Sequence, residues 1–187
     1  THFLHDAEMD PILKHLLQLN FTNSNPDEPR LIYVPCYLNG MDGIFNLSYY
    51  ELLTGCDQTV FATYYEPWGY TPLESIAVGV PTITTSYAGI SRLIKEEVKK
   101  TFKAIHIIDR SKGGDEQVIQ KIINNITELN SLPPDEFEKI REEARQLSKS
   151  VLWDDLIGNY HEAFSEALKK VSKRADIFIE IVERPSP

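Results

Sequence analysis

The sequence predicts an α/β fold, in which a Rossmann-like parallel sheet has helices on both faces. Short apolar runs rich in β-branched residues alternate with helical stretches, and turn signals separate them. This alternation is typical of β-α repeats around a buried parallel sheet. The apolar runs span residues 31–38, 58–63, 80–85 and 104–109. Such sheets bind ligands at the carboxyl ends of their strands, so a site is expected in the loops that follow these runs.

Signals at the helix ends predict the helices. Asp10 and Pro11 suit the N-cap and first position of "PILKHLLQLN", and Ser48 and Gly55 bracket "LSYYELLTGC". "PLESIAVG" is predicted to end at Gly79. The other helical stretches are "AGISRLIKEEVKK", "GDEQVIQKIINNITELN", "PPDEFEKIREEARQLSKS" and "WDDLIGNYHEAFSEALKKV".

The length of 187 residues suits a single domain with one core. We assign residues 1–175 to that domain. Residues 176–187, which include the alternating "IFIEIVE", are expected to form an edge strand or a disordered tail. The chain opens on "THFLHDAEMD" without a methionine, so we expect a fragment of a longer enzyme.

Composition excludes several classes of partner. The net charge of -9 and a pI near 5.0 oppose binding to phosphate backbones, so nucleic acid is not expected. No apolar run is long enough to span a bilayer. Cys36 and Cys56 have apolar neighbours, which predicts free thiols in a reducing compartment, the cytoplasm, with a disulfide as the less favoured alternative. The histidines lack metal-ligand spacing, so neither metal nor cofactor is expected.

The loop "YYEPWGYTPLE", residues 64–74, carries an unusual number of aromatic and acidic side chains for a connection. Thr71, Pro72 and Glu74 fit a capping box at the start of the next helix. In that interpretation Glu74 folds back onto the Thr71 amide and needs no ligand.

A second interpretation is a phosphate and sugar site, because a helix that starts directly after a parallel strand presents free amides and a positive dipole end. The candidate donors are the amides of Tyr70, Thr71 and Leu73, and Gly69 allows a close approach of backbone to ligand. Glu66 can bind sugar hydroxyls or stabilise positive charge that develops on a sugar carbon.

The aromatic residues Tyr64, Tyr65 and Trp68 also have two interpretations. Packing in the core against the following helix is the structural one. In the functional one they form a wall around a ligand. Amides that can donate hydrogen bonds to a phosphate lie in one loop with carboxylates and aromatic faces. Together these groups indicate a nucleotide-sugar site.

"YYEPWGYTPLE" closely resembles the signature of glycogen synthases of the animal and fungal type. Glu66 and Glu74 have the Glu-x7-Glu spacing of retaining glycosyltransferases with two facing Rossmann-like domains, the GT-B architecture. "YVPCYLNGMDGIFNLSYYELLTGCDQTVF" and "VPTITTSYAG" are similar to that family in order and spacing. The resemblance covers roughly residues 1–160, and implies the C-terminal domain of such a two-domain enzyme.

The resemblance also implies a role for each site residue. Glu66 would be the catalytic carboxylate, which contacts the donor glucose and stabilises an oxocarbenium-like transition state with retention of configuration. Glu74 would bind the donor ribose. Tyr49 would stack on the base, although core packing is an alternative for this residue. The residues expected to bind the donor are Glu74, Tyr49, Trp68, Gly69, Tyr70, Thr71 and Leu73.

The implied reaction is transfer of glucose from UDP-glucose, favoured over ADP-glucose, to the nonreducing end of an α-1,4-glucan. The family's donor-phosphate Arg and Lys and its acceptor-side His and Arg fall outside this chain. We therefore expect an inactive fragment that holds the donor-binding half and needs the N-terminal domain of the same enzyme. "YAGIS", residues 87–91, departs from the family's Ser-Gly-Phe-Gly. A homo-oligomer is left open.

Two alternatives remain for the function. A starch-synthase-like transferase would share the architecture, but "EPWGYTP" differs from the loop of those enzymes. A non-catalytic module that binds a nucleotide sugar or a glucan would share the ligand without the reaction.

Overall fold

The computed structural model describes residues 6–26, 29–95 and 102–171. The chain divides into two compact units between Asp57 and Gln58. The assignment of residues 1–175 to one domain stays a prediction. The expected tail, residues 176–187, lies outside the described residues.

The two helices among the described residues of the first unit start where the sequence predicts. They are α1 (Pro11–Gln18) and α2 (Tyr49–Thr54). Asp10 accepts two backbone hydrogen bonds in the first turn of α1, at 2.9 and 2.8 Å. Ser48 and Glu51 form a capping box at the start of α2, and Gly55 caps its end. These helix ends are set by local hydrogen bonds, and so could be predicted.

The strand predicted over residues 31–38 is wrong. The described part of the first unit contains no strand ladder and only an isolated antiparallel bridge at Asn39. The side-chain amide of Asn23 donates to the Leu31 carbonyl at 2.7 Å, and its oxygen accepts from the Leu31 amide at 2.9 Å. A side chain therefore takes the backbone groups that a neighbouring strand would pair with, and Pro35 removes a further donor.

The second unit is built on a three-stranded parallel sheet in the order β1-β2-β3. The strands confirm three predicted ones and are β1 (Thr59–Val60), β2 (Thr82–Thr85) and β3 (Ile105–Ile108). Thr59 pairs with Thr82 in the register. β1 is shorter than predicted, because the Thr63 amide turns back to the Phe61 carbonyl at 2.9 Å and ends the extended run.

Helices pack on both faces of this sheet, which confirms the predicted fold class. The described helices of this unit are α3 (Tyr70–Ala77), α4 (Gly89–Leu93), α5 (Asp115–Asn130), α6 (Pro134–Lys149) and α7 (Trp153–Lys169). One hydrophobic cluster includes Ile76 of α3, Ile90 of α4 and Ile140 of α6. A second joins Ile83 and Ile108 of the sheet to Val118 of α5, and burial of both clusters stabilises the unit. α4 is the start of the helix predicted for "AGISRLIKEEVKK". The rest of that prediction includes residues that lie outside the described ones.

Buried hydroxyl groups connect α3 to the sheet. The Thr59 Oγ1 atom lies 2.6 Å from Ser75 Oγ and 2.9 Å from Thr82 Oγ1. Ser75 also donates to the Val80 carbonyl at 2.9 Å. Ser75 and Thr82 are almost completely buried, and a buried hydroxyl without a partner would destabilise the fold. The hydrogen bonds therefore fix the position of α3 on the sheet.

Candidate functional site

Glu66 lies just beyond the carboxyl end of β1, where the loops after β1 and β2 pair with each other. Its amide donates to the Tyr87 carbonyl at 3.2 Å, and its carbonyl accepts from the Gly89 amide at 3.1 Å. This isolated parallel bridge opposite Ala88 continues the pairing of the two strands. Glu66 is half-buried and its backbone is held on both sides. The backbone of Glu66 is thus fixed at the edge where parallel sheets bind ligands.

The backbone after Glu66 is held against the second loop as well. The Ile90 amide donates to the Trp68 carbonyl at 2.6 Å. Gly69 has a φ of 108°, and a β-carbon there would lie 2.9 Å from Ile90 Cγ2. The sequence suggested that Gly69 admits a ligand. The structure gives it a packing role, because only glycine tolerates both this φ and this contact.

α3 starts two residues earlier than predicted, and the predicted capping box is wrong. Gly69 is the N-cap, in the left-handed region, and no side chain caps this helix. Thr71 and Glu74 both lie inside α3, so Thr71 does not have the extended conformation that an N-cap requires. The helix-capping alternative for Glu74 is thereby removed.

Two of the three amides predicted to bind phosphate are open to a ligand. The Leu73 amide donates to the Gly69 carbonyl at 3.4 Å. The amides of Tyr70 and Thr71 precede the first intrahelical bond, and the described residues supply no acceptor for them. Because the positive end of the helix dipole lies at the same place, this turn of α3 favours an anion.

The aromatic side chains of the loop are mostly on the surface, so core packing is the wrong interpretation for two of them. Tyr64 is 67% exposed and Tyr65 is 77% exposed, and Tyr70 at the start of α3 is 66% exposed. Trp68 is half-buried. Exposed aromatic rings beside a half-buried carboxylate can contact a sugar or a base by their faces.

A cleft of about 430 Å³ opens beside the start of α3 and is lined by Trp68, Tyr70 and Leu73 together with residues of α7. On α7, the rings of Trp153 and Tyr160 lie 5.2 Å apart. Neither residue is among those predicted from the sequence. The two residues are seven positions apart on one helix face, and both rings are exposed. A pair of aromatic residues at this spacing is a sequence pattern from which they could have been predicted.

Tyr49 belongs to the first unit, where it is the first residue of α2. It is half-buried, and its ring meets that of Tyr50 edge-on, with the centroids 5.2 Å apart. The structure thus groups Glu66, Trp68, Gly69, Tyr70, Thr71, Leu73 and Glu74 along one loop and helix, and places Tyr49 in a separate unit.

The carboxyl end of β3 adds charged groups to the same edge. Asp109 accepts hydrogen bonds from the hydroxyl and amide of Ser111, at 2.6 and 2.9 Å. These bonds, with the nearby charge of Lys112, hold the pKa of Asp109 below its usual value. Arg110 and Asp115 follow Asp109 in the same segment, and both contact Tyr64. Neither was predicted from the sequence.

The described residues contain no group of three or more His, Cys, Asp or Glu side chains that could hold a metal ion. None of the described helices is long and apolar enough to cross a membrane. Cys36 and Cys56 are free thiols, and both are half-buried.

This chain is similar to known proteins along nearly its whole length. The profile of the family described as Glycogen synthase matches residues 1–184. Glycogen [starch] synthase isoform 2 of Saccharomyces cerevisiae is 32% identical over 174 residues, which cover 91% of this chain and 24% of the yeast protein. Glycogen [starch] synthase of Caenorhabditis elegans is 28% identical over 177 residues, or 94% of this chain and 26% of the relative.

A mammalian relative is similar over a shorter stretch. The liver glycogen [starch] synthase of Homo sapiens is 36% identical over 111 residues, which cover 59% of this chain and 16% of that protein. The chain therefore spans about a quarter of the length of the relatives that it matches most fully.

Proposed function

Because this chain belongs to the glycogen synthase family, we propose that it provides the donor-binding half of a retaining glucosyltransferase. The enzyme would move glucose from a nucleotide-glucose to the nonreducing end of an α-1,4-glucan. One observation carries the proposal: Glu66 and the open first turn of α3 lie in one short loop at the carboxyl edge of a parallel sheet. A carboxylate and an anion site this close can serve the sugar and the phosphates of a single ligand.

The first turn of α3 would bind the donor phosphates. The amides of Tyr70 and Thr71 supply hydrogen bonds, and the helix dipole adds a favourable potential. Trp68, Gly69 and Leu73 shape this turn. The net charge of the chain is -9, so the positive side chains that neutralise a diphosphate would come from elsewhere in the enzyme. We assign them to the donor-phosphate Arg and Lys that the family carries earlier in this second domain, and the acceptor glucan to the N-terminal domain.

Glu66 would stabilise positive charge on the donor sugar during transfer. Its backbone is held by bonds to Tyr87 and Gly89, so the segment that carries the carboxylate needs little reorganisation when that charge develops. Half-burial lowers the local dielectric, and this strengthens the attraction between carboxylate and sugar cation. An oxocarbenium-like transition state with retention of configuration fits this arrangement.

Glu74 would bind the donor ribose. Glu74 and Tyr70 are four residues apart in α3, so they share one face of the helix. A carboxylate on that face is one turn away from the proposed phosphate site, which suits the distance between the phosphates and the ribose of one nucleotide. Tyr49 would stack on the base by its ring face, and we favour UDP-glucose over ADP-glucose.

The proposal includes no metal ion or cofactor, because helix amides and side chains bind the phosphates. It places the enzyme in the cytoplasm, where nucleotide sugars and thiols such as Cys36 and Cys56 coexist. A homo-oligomer is compatible with this site but not required by it.

The proposal is tested with the full-length protein, glycogen, and UDP-glucose or ADP-glucose in parallel. We expect incorporation of α-1,4-linked glucose, at a higher kcat/KM with UDP-glucose. Incorporation from ADP-glucose alone would contradict the assigned donor. Binding of either nucleotide sugar without incorporation would contradict the enzyme and favour a non-catalytic module.

A further inference from the structure

Three side chains, one from the loop after β1, one from the loop after β3 and one from the start of α5, form a closed cluster at the edge that carries Glu66. We call Tyr64, Arg110 and Asp115 the Tyr64 cluster. The guanidinium carbon of Arg110 lies 3.8 Å from the centre of the Tyr64 ring. Arg110 Nη2 donates to Asp115 Oδ1 at 2.5 Å, and the Tyr64 hydroxyl donates to Asp115 Oδ2 at 2.6 Å. Each member therefore contacts the other two.

The cluster and the backbone amide of Arg110 together connect the segments that follow the three strands of the sheet. Tyr64 follows β1, while Arg110 follows β3 and Asp115 begins α5. The backbone amide of Arg110 also donates to Ser86 Oγ, in the loop after β2, at 3.1 Å. The loop that carries Glu66 is thus attached through side chains to the loops after both other strands.

The burial of the cluster is unusual for a surface ion pair. The side chain of Arg110 is only 7% exposed, whereas that of Asp115 is 61% exposed. A shielded guanidinium is stable when a carboxylate and an aromatic face compensate its charge. Here Asp115 neutralises the charge of Arg110, and the Tyr64 ring stacks on its guanidinium. Arg110 therefore has both partners without a ligand.

The ring of Tyr64 depends on this cluster for its position. Tyr64 is 67% exposed, so hydrophobic packing does not hold it. Glu66 follows two residues later, and its backbone is bound to the loop after β2. The segment from Tyr64 to Glu66 is therefore held at one end by the Tyr64 cluster and at the other by the isolated bridge.

We propose that Arg110 is a positioning residue, which acts through Tyr64 to orient the loop that carries Glu66. This inference rests on the proposed function, because it assigns Arg110 to the geometry of that reaction. Arginine suits the role better than lysine, since its planar guanidinium stacks on a ring and binds a carboxylate at the same time.

The inference predicts a specific kinetic signature. If Glu66 is displaced while the donor-binding turn of α3 is unchanged, kcat falls and the KM for the nucleotide-glucose does not. A misplacement on the order of 1 Å costs about 100-fold in rate. We therefore expect Arg110→Lys to lower kcat by about 10- to 100-fold in the full-length enzyme, with KM for the donor changed by about 2-fold or less.

Variants of Tyr64 test whether the effect passes through this residue. Tyr64→Leu removes the ring and should lower kcat as Arg110→Lys does. Tyr64→Phe keeps the ring and loses only the hydroxyl bond, so its kcat should fall less. Because both residues act as one unit, the double variant Arg110→Lys, Tyr64→Leu should be no slower than the slower single variant.

Arg141→Lys is the matched control, because Arg141 also lies over an aromatic ring and near a carboxylate. Its guanidinium carbon is 5.9 Å from the Phe137 ring centre, and its Nε is 3.9 Å from Glu138. This control should keep the wild-type kcat. An unchanged kcat in Arg110→Lys, or additive losses in the double variant, would overturn the inference.

Two further outcomes distinguish a failure of this inference from a failure of the proposed function and from a folding defect. A wild-type enzyme that transfers no glucose removes the proposed function and this inference with it, whereas an active wild type with a fully active Arg110→Lys variant contradicts only the inference. If Arg110→Lys fails to fold, the exposed Tyr64 variants decide the question by the same split between kcat and KM.

Discussion

A β-carbon placed on Gly89 would lie 2.2 Å from the carbonyl oxygen of Pro67. No side chain can occupy that space, so the loops after β1 and β2 are packed backbone against backbone. The Gly89 amide also donates to the Glu66 carbonyl at 3.1 Å. The absence of a side chain at Gly89 therefore sets the distance between Glu66 and the rest of the sheet edge.

We predict that Gly89→Ala destabilises the protein and slows the reaction. Because the new methyl group meets backbone rather than a flexible side chain, the loops must separate, at a cost of about 1–3 kcal/mol in unfolding free energy. Urea unfolding and initial rates would measure both effects. Gly158→Ala is the control: no atom lies within 4 Å of its β-carbon position, and alanine in a helix interior should raise stability by about 1 kcal/mol. Wild-type stability in Gly89→Ala would contradict the packing argument.

Glu66→Gln should lower glucosyl transfer by about 100-fold or more, because the amide keeps the shape of the side chain but removes the charge that stabilises the donor cation. The melting temperature should change little, since the hydrogen bonds that place this residue come from its backbone. Initial rates and thermal unfolding test both statements. Glu162→Gln, on the exposed part of α7, should behave as wild type. A near-normal rate for Glu66→Gln would remove this residue from the chemistry.

Glu74→Gln should weaken donor binding by about 10-fold, since a neutral amide makes a weaker hydrogen bond with a ribose hydroxyl than a carboxylate does. Loss of a helix cap should not contribute, because α3 has no side-chain cap. For the same reason Thr71→Val should change the unfolding free energy by about 0.5 kcal/mol or less. Donor titrations and thermal melts distinguish the two effects. A large loss of stability in Thr71→Val would restore the capping box.

The unfolding free energy should decrease as the pH falls below about 6.5. Burial lowers the pKa of His106 in β3 against the opposing charge of Glu128. Because the pKa is lower in the folded state, the unfolded state binds more protons between the two pKa values, and stability is lost as pH falls through that window. Urea unfolding from about pH 5 to 8 measures how steeply the unfolding free energy depends on pH. His106→Gln should make this dependence less steep. His161→Gln, on the exposed face of α7, should leave it unchanged. An equal slope in all three proteins would contradict the shift.

Features that depend on neighbours in sequence could be predicted. The caps at Asp10 and Ser48 use hydrogen bonds to residues two or three positions away. The strands β2 and β3 are runs rich in β-branched residues, and such runs are buried in a parallel sheet, β2 along its whole length and β3 at both ends. The loop with Glu66 was found because its composition is unusual for a connection.

Features that depend on distant residues could not be predicted. Asn23 blocks the backbone of Leu31 from eight positions away. The start of α3 is fixed by the fit of Gly69 against Ile90, so the local Thr71 pattern gave the wrong cap. Asp115 lies 51 positions from Tyr64, and no pattern within either segment indicates that they meet.

The hydroxyl contacts among Thr59, Ser75 and Thr82 have a consequence for ligand affinity. They hold α3 on the sheet before any donor arrives, so the amides of Tyr70 and Thr71 are already in place when the phosphates approach. Binding then loses little conformational entropy in the protein, and more of the interaction energy is retained as affinity.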